Sequence, residues 1–284
     1  MSLYENLIAY NLGKQAGGGT GGGGSSGSGW DGVYTGNGTW PVRVGNYMFY
    51  GNDRLKAVNM EYCDGVGDGA FSICRSLETV YINANRTYSK DGFKLGKNAF
   101  ADCSNLKSVT LNNFAGFSNE CCFQGCSSLE TVHFSMPTNS SSGSVPIYEY
   151  CFENCFKLKN IDGFIGSVYS GGFARCESLE KLKLYNPDKI EQGAFVGCSS
   201  LSAVIVNVET KQCKISPFAF LGSKIMDENG TPTGEGFVYV PQADFEGIVT
   251  YMVTIASEFI DNATAEYVAR AILRKIEDYP EICG

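Results

Sequence analysis

The chain has one histidine and no run of basic residues, and each shortage argues against a class of function. His133 is the single histidine among 284 residues. Ser-His-Asp and Cys-His mechanisms need a general base with a pKa near neutrality, so the sequence argues against an enzyme of either type. Acidic and basic residues are interspersed, with a net charge of −8 and no Lys/Arg run to follow a phosphate backbone. Nucleic acid is therefore not an expected partner.

Long apolar stretches are missing as well. No run of about 18 apolar residues occurs, so the sequence predicts no membrane span. The first residues show no basic n-region and no continuous apolar h-region, so no secretory signal is predicted; the alternative is that a signal lies upstream of Met1. The segment 227–230, Asp-Glu-Asn-Gly, lacks the ligand spacing of a calcium loop and is interpreted as a turn. The Gly-rich tract follows no strand, so no dinucleotide cofactor is expected.

What the chain does have is a repeat. The pattern A/C/G-F-x-x-C-x-x-L-x-x-V/I-x-apolar recurs about every two dozen residues, and its six matched copies are led by Phe71, Phe100, Phe123, Phe152, Phe173 and Phe195. Each has a Cys three residues on and a Leu six residues on. Degenerate copies at Phe49 and Phe220 flank them, and successive phenylalanines lie 21 to 29 residues apart. This is the period of leucine-rich repeats, in which each unit buries its apolar face against its neighbours.

Each copy predicts a short strand. Val80 and Ile82 follow Leu77 with one residue between them, which is the period-2 pattern of a strand with one buried face. A further apolar residue recurs five positions before each phenylalanine, with Phe117 expected to replace Ser118 in one coil. The predicted fold class is a leucine-rich repeat solenoid, with short parallel β-strands stacked in about eight coils over residues 30–241, irregular turns, and an α-helical C-terminal cap.

The twelve cysteines are interpreted mainly as packing residues. Six of them occupy one repeat position, in register with Phe and Leu side chains that face inward. Cys is a small and often buried side chain, so the pattern favours a column of reduced thiols. Stacked coils also lie within the Cα separations that a disulfide accepts, so bridging stays open. Cys122-x3-Cys126 lacks the paired C-x2-C spacing of a zinc site, and no metal is predicted.

The repeat resembles the BspA-like subfamily of leucine-rich repeats, whose consensus reads close to I-G-x-x-A-F-x-x-C-x-x-L-x-x-I-x-I. Residues 190–206, IEQGAFVGCSSLSAVIV, and 66–82, VGDGAFSICRSLETVYI, match it closely. The segment 238–241, V-Y-V-P, is similar to the stop that often closes such arrays before a helical cap. The resemblance implies the solenoid fold and binding to a host surface or matrix. It implies no shared catalytic residues, and family members include bacterial surface adhesins and phage-encoded proteins.

The two ends differ from the array. Residues 1–16 predict a short amphipathic anchor helix, and residues 17–29, with nine Gly in thirteen positions, predict a flexible tether. The apolar stripe of the anchor consists of Leu3, Tyr4, Leu7, Ile8 and Leu12. Trp30, Tyr34 and Trp40 are expected to seal the first coil. Residues 242–284 predict two capping helices, the first with a stripe from Phe245 to Phe259 and the second continuing to Ile276 and ending before Pro280.

The candidate binding residues are those that the repeat leaves free. The middle residue of each strand is expected to point outward, which gives the column Asn59, Tyr81, Thr110, His133, Asp162, Lys183 and Ile205. This column is chemically mixed, which permits specific recognition on a solenoid surface, although a merely solvated strand face would look similar. Two longer repeats predict loops at 83–94 and 135–146, and the first of them adds Tyr88 and Phe93 as candidates.

The leading hypothesis is a non-catalytic recognition protein, tethered by its N-terminus to other proteins of a phage virion and displaying the array to a host-surface protein or glycan. The anchor-and-tether layout and the absence of a signal favour it. The alternative is an exported bacterial surface adhesin, and an enzyme is a third option. A second copy of the chain is a further candidate partner, and the expected localisation is the virion or, alternatively, the cell surface.

Overall fold

The computed structural model describes residues 32–35, 42–84, 92–137, 143–208 and 212–283. The predicted anchor (Leu3, Tyr4, Leu7, Ile8, Leu12), the Gly tract, Trp30, Trp40 and Tyr88 lie outside the described residues. The chain divides into two compact units. The N-terminal unit contains residues 1–129 and 133–140, and the C-terminal unit contains 130–132 and 141–284.

The N-terminal unit consists of stacked coils that each supply two short strands. One sheet has the parallel order β1-β3-β5-β7-β9, and the second has the order β2-β4-β6-β8. The strands of the first sheet are β1 (Val33–Thr35), β3 (Ala57–Met60), β5 (Thr79–Asn83), β7 (Ser108–Asn112) and β9 (Thr131–Phe134). Those of the second sheet are β2 (Val42–Val44), β4 (Cys63–Val66), β6 (Phe93–Leu95) and β8 (Phe114–Phe117). The predicted parallel strands are confirmed.

The C-terminal unit repeats this plan and ends in helices. Its strands are β10 (Val145–Ile147), β11 (Asn160–Asp162), β12 (Ile165–Val168), β13 (Lys181–Tyr185), β14 (Lys189–Ile190), β15 (Ala203–Asn207), β16 (Lys214–Ile215), β17 (Phe237–Val240) and β18 (Leu273–Lys275). A sheet runs in the order β16-β14-β12-β13-β15-β17-β18, with β10 paired to β12. The helices are α1 (Phe245–Ala256), α2 (Asn262–Ile272) and α3 (Pro280–Cys283), with 3₁₀ turns at Pro217–Phe220, Gln242–Asp244 and Ile276–Asp278.

The core of each unit is a stack of the repeat phenylalanines. In the N-terminal unit the ring centroids of Phe71 and Phe100 are 5.0 Å apart, and those of Phe100 and Phe123 are 5.4 Å apart. In the C-terminal unit Phe173 and Phe195 are 5.5 Å apart. These rings are within 7° of parallel and are fully buried, as are the repeat Leu side chains. The predicted inward columns are confirmed, including Phe117, which pairs in register with Leu95 in place of Ser118.

Left-handed backbone positions flank the stacked phenylalanines on both sides, except that Phe218, two residues before Phe220, has a φ of −96°. Two residues before the ring, φ is positive at Tyr47, Gly69, Asn98, Cys121, Tyr150, Gly171 and Gly193; two residues after it, φ is positive at Gly51, Ile73, Asp102, Gly125, Asn154, Arg175, Gly197 and Gly222. This alternation turns every second N–H toward the next coil, so that Phe71 donates to Ala99 O at 2.8 Å and Ile73 to Ala101 O at 2.7 Å. The turns that looked irregular in the sequence thus form a regular ladder.

Ile73 is strained in this ladder, because a β-branched side chain is poorly accommodated at a φ of 61°. Replacing Ile73 by Asn, the residue that the equivalent coil position has at Asn154, is expected to raise the free energy of unfolding by about 1 kcal/mol. Urea denaturation measures this as a higher midpoint with an unchanged slope. Val196→Asn is the matched control, since Val196 is an exposed aliphatic residue without positive φ, and a change within about 0.5 kcal/mol is expected. An equal or lower midpoint for Ile73→Asn would contradict the prediction.

The predicted helical end is confirmed in part. Helices α1 and α2 are present, and α1 buries Ile248, Val249 and Met252. The second helix ends at Ile272, however, and the next three residues form β18, which pairs in parallel with β17. The expected stripe to Phe259 is also wrong, since that side chain is 68% exposed, and Pro280 begins a short helix. None of the helices in the described part of the chain is long and apolar enough to cross a membrane.

Candidate functional site

The cysteine column has a geometry that suits packing. Cys103 Sγ donates to Phe71 O at 3.1 Å, and Cys198 Sγ donates to Phe173 O at 2.9 Å, each to the phenylalanine of the preceding coil. The eleven cysteines from Cys63 to Cys213 are reduced thiols, and all of these but Cys121 are buried. Burial raises the pKa of Cys198 to about 12, so this thiol stays protonated at neutral pH. Among the described residues, no group of three His, Cys, Asp or Glu side chains is placed to hold a metal ion.

The structure places the predicted outward column on the first strand of each coil. Asn59, Tyr81 and Thr110 are direct neighbours in register on β3, β5 and β7. Asn59, His133 and Asp162 are exposed, and Tyr81, Thr110 and Lys183 are half-buried. In the N-terminal unit the column therefore lies on an accessible sheet face.

Ile205 is a correction to the predicted column. It does point away from the main core, but its side chain is only 1% exposed. Residues 276–282, which we call the C-terminal cover, fold back over this face, and Ile276, Tyr279 and Ile282 pack on Ala203, Ile205 and Tyr239. Lys181 Nζ donates to the carbonyl oxygen of Ile282 at the end of the cover. The prediction that Ile205 is accessible to a partner is wrong, because the chain itself occupies that position.

Phe93 is a second correction. The loop predicted at 83–94 includes this residue, but Phe93 begins β6 and is 1% exposed. Its ring lies 5.4 Å from that of Phe114, inside the N-terminal unit. Phe93 is two residues before Leu95, so the strand alternation turns both side chains inward. Phe93 is therefore a core residue.

The first sheet has no charged outward side chain on three of its adjacent strands, β3, β5 and β7. Its outward side chains on β3, β5 and β7, which we call the neutral face, are Ala57, Asn59, Thr79, Tyr81, Asn83, Ser108, Thr110 and Asn112. The sequence prediction included three of them. The others lie two residues to either side of that central column on the same strands, so strand alternation alone could have found them.

Hydrogen bonds order one border of the neutral face. Asn113 Nδ2 donates to Asn83 Oδ1 at 3.0 Å and to Ala84 O at 3.0 Å. Ser135 Oγ donates to Asn112 Oδ1 at 3.2 Å, and Asn83 Nδ2 donates to Glu61 Oε2 at 3.2 Å. The amides of Asn83 and Asn112 are therefore held in fixed orientations by neighbouring coils.

An ion pair lies along the opposite border. Lys107 Nζ is 2.8 Å from Glu78 Oε2, and this hydrogen bond lowers the pKa of the Glu78 carboxyl below its ordinary value. The backbone of the same residues continues the ladder, since Lys107 N–H donates to Glu78 O at 2.8 Å. Glu78 and Lys107 are thus paired with each other outside the neutral face, and Lys56, directly before Ala57, is a further exposed charge at this border.

Stacked parallel strands with internal Phe, Cys and Leu columns define a leucine-rich repeat solenoid. The chain belongs to the family described as the BspA type leucine rich repeat region, whose sequence model matches in six copies over residues 42–162, 87–202 and 138–231. Among solved structures, the chain is similar to a leucine-rich repeat protein from Bacteroides ovatus ATCC 8483, with 19% identity and a TM-score of 0.49. The likeness covers 74% of this chain and 55% of that one. No curated protein matches the chain.

Proposed function

We propose that this protein is a non-catalytic recognition protein that binds its partner through the outward face of the first sheet of the N-terminal unit. The observation that supports this most directly is a contrast within single strands. The inward positions repeat the same residue types from coil to coil, whereas the outward positions Asn59, Tyr81 and Thr110 differ on each coil. Packing explains the constant positions, and a solenoid surface that varies along its length is suited to a specific ligand.

The central residue of this surface gives the test. Tyr81→Ala is expected to weaken binding of the full chain to its partner about tenfold, because a tyrosine supplies a large contact area with a polar tip. Binding is measured by surface plasmon resonance against extracted host-surface material. Lys94→Ala, on an exposed outward position of β6 in the second sheet, is the matched control and should bind as the parent does. Unchanged binding by Tyr81→Ala and loss by Lys94→Ala would move the site to the second sheet.

A second part of the proposal concerns the location of the protein, either on a phage particle or on a bacterial surface. Display on a phage particle is supported by the sequence pattern of the anchor (1–16) and tether (17–29), which lie outside the described residues. Display on a bacterial surface is supported by family membership. A chain that lacks residues 1–16 should fail to copurify with particles if the anchor attaches it to a virion, and its copurification with intact particles would contradict the virion version.

A further inference from the structure

The neutral face differs from three strands of the second sheet of its own unit. In the second sheet, the outward residues of β2, β4 and β6 are Arg43, Asp64 and Lys94, so three of its four strands expose a charged side chain, and β8 presents Ala115. On β3, β5 and β7 the eight outward side chains are hydroxyls, amides, one alanine and one tyrosine. Exposure to solvent alone therefore does not account for the lack of charged side chains on β3, β5 and β7, because strands of the neighbouring sheet are also exposed and do carry charges.

The groups on the neutral face share a hydrogen-bonding property. Hydroxyls of Ser, Thr and Tyr, and amides of Asn, each donate and accept, whereas carboxylates only accept and Lys or Arg only donate. A ligand that is rich in hydroxyl groups matches this property, because each of its hydroxyls also donates and accepts hydrogen bonds. The central column from Asn59 to Thr110 spans two strand spacings, about 10 Å, with Tyr81 in the middle. The ring of Tyr81 offers an apolar patch for the C–H face of a sugar, and its hydroxyl offers a polar tip.

A protein partner fits this surface less well. Protein interfaces are typically anchored by several buried aromatic, Met or Arg side chains, and charge complementarity steers their association. The neutral face supplies one aromatic side chain; at its borders Glu78 is paired with Lys107, and the Glu61 carboxylate accepts a hydrogen bond from Asn83. Ordered amides at Asn83 and Asn112 instead favour directional hydrogen bonds with little reorganisation.

We infer that the neutral face binds an uncharged oligosaccharide, with Tyr81 stacked on one sugar ring and the Ser, Thr and Asn side chains bonded to its hydroxyls. This inference rests on the proposed function, since it names the ligand class for the same face. It also predicts that binding is nearly independent of salt, because no ion pair forms or breaks.

The test uses the full chain on an array that carries neutral hexose and N-acetylhexosamine oligosaccharides beside sialylated, sulfated and uronate-containing ones. Retention by neutral glycans is expected, with affinities that change less than about twofold between 0.05 and 0.5 M NaCl. Tyr81→Ala should weaken this binding about tenfold, and Tyr81→Phe, which keeps the ring, should weaken it less. The control Lys94→Ala should bind as the parent does.

The other outcomes separate the two proposals. Salt-sensitive binding to the anionic glycans alone, or failure of every neutral glycan to bind, overturns the oligosaccharide inference. If a protein from the host-surface extract binds instead and Tyr81→Ala abolishes that binding, the recognition function stands and the ligand class is wrong. If neutral glycans bind equally well to Tyr81→Ala and to a Thr79→Ala, Thr110→Ala double variant, both the ligand site and the proposed function of this face are wrong.

Discussion

Raising the pH above about 9 is expected to destabilise the protein steeply, because its buried thiols cannot ionise in the folded state. Burial raises the pKa of Cys63, Cys198 and Cys213 from 9.0 to about 12. Burial also raises the pKa of Cys103 and Cys176 well above the ordinary value. These five thiols are distributed over both units, so neither unit should escape the effect.

The direction follows from proton linkage. Below pH 9 the thiols are protonated in both the folded and the unfolded chain, and they add no pH dependence. Between pH 9 and 12 the unfolded chain releases protons that the folded chain keeps, so the free energy of unfolding falls as the pH rises. Each thiol contributes about 1.4 kcal/mol per pH unit, so Cys63, Cys198 and Cys213 together contribute about 4 kcal/mol per unit. Domain stabilities are about 5–15 kcal/mol, so unfolding is expected near pH 11.

Denaturant unfolding at pH 8, 9, 10 and 11 measures how steeply the free energy of unfolding falls with pH. Two variants test whether the buried thiols cause this slope. Cys198→Ala should reduce the slope by the share of one thiol, about 1.4 kcal/mol per pH unit. Leu201→Ala is the matched control, since Leu201 is fully buried three residues away and does not titrate, so it should lower stability at every pH without changing the slope. A free energy of unfolding that stays level from pH 9 to 11, or a slope that Cys198→Ala leaves unchanged, would show that the buried thiols do not control stability.

The part of the fold that was predictable from the sequence is the set of repeat positions at which the same residue type recurs in each coil. Phe71, Cys74 and Leu77 and their equivalents face inward in every coil because each coil meets the same environment above and below. The left-handed ladder was not predictable, because its positions are occupied by residues as different as Gly69, Ile73 and Arg175. There the hydrogen bonds to the next coil determine the backbone, and the side chain adapts.

The end of the chain shows why local periodicity failed. Ile276 follows Ile272 at a helical spacing, which predicts that α2 continues through both. The edge of β17 offers unpaired backbone groups, and residues Leu273–Lys275 pair with them as β18 instead. Arg274 then lies with its guanidinium carbon 3.8 Å from the centre of the Phe237 ring. Tertiary pairing therefore overrides a pattern that is consistent with helix.

The candidate site was predictable in position and not in accessibility. Strand alternation placed Tyr81 and Ile205 correctly on the outward side, since both lie in the same column of the repeat. The difference in their burial comes from the C-terminal cover, about 70 residues beyond Ile205 in the sequence. Ile205 was the only aliphatic side chain in the predicted column, and that composition was the available signal that another segment covers it.

Replacing Ile205 by Asp is therefore expected to detach the C-terminal cover and to lower the free energy of unfolding by about 3 kcal/mol. Burial of an isoleucine side chain contributes about 1.5–3 kcal/mol, and an unpaired carboxylate in the same apolar contact costs more than that. Because the cover packs on the sheet through only a few partly buried side chains, its local release disrupts fewer contacts than unfolding of the whole unit. Release also exposes Ala203 and Tyr239, so self-association is expected to increase.

Hydrogen exchange and denaturation test this together. In Ile205→Asp, the amide of Ile282, which donates to Tyr279 O at 3.1 Å, should exchange at least about tenfold faster than in the parent, while the amides of β5 keep their protection. Asn59→Asp is the matched control: it places the same carboxylate in the same column at an exposed position, and stability should change by less than about 0.5 kcal/mol. If Ile205→Asp and Asn59→Asp change the stability equally, the cover does not bury Ile205. The whole predicted outward column would then be accessible, as the repeat pattern predicts.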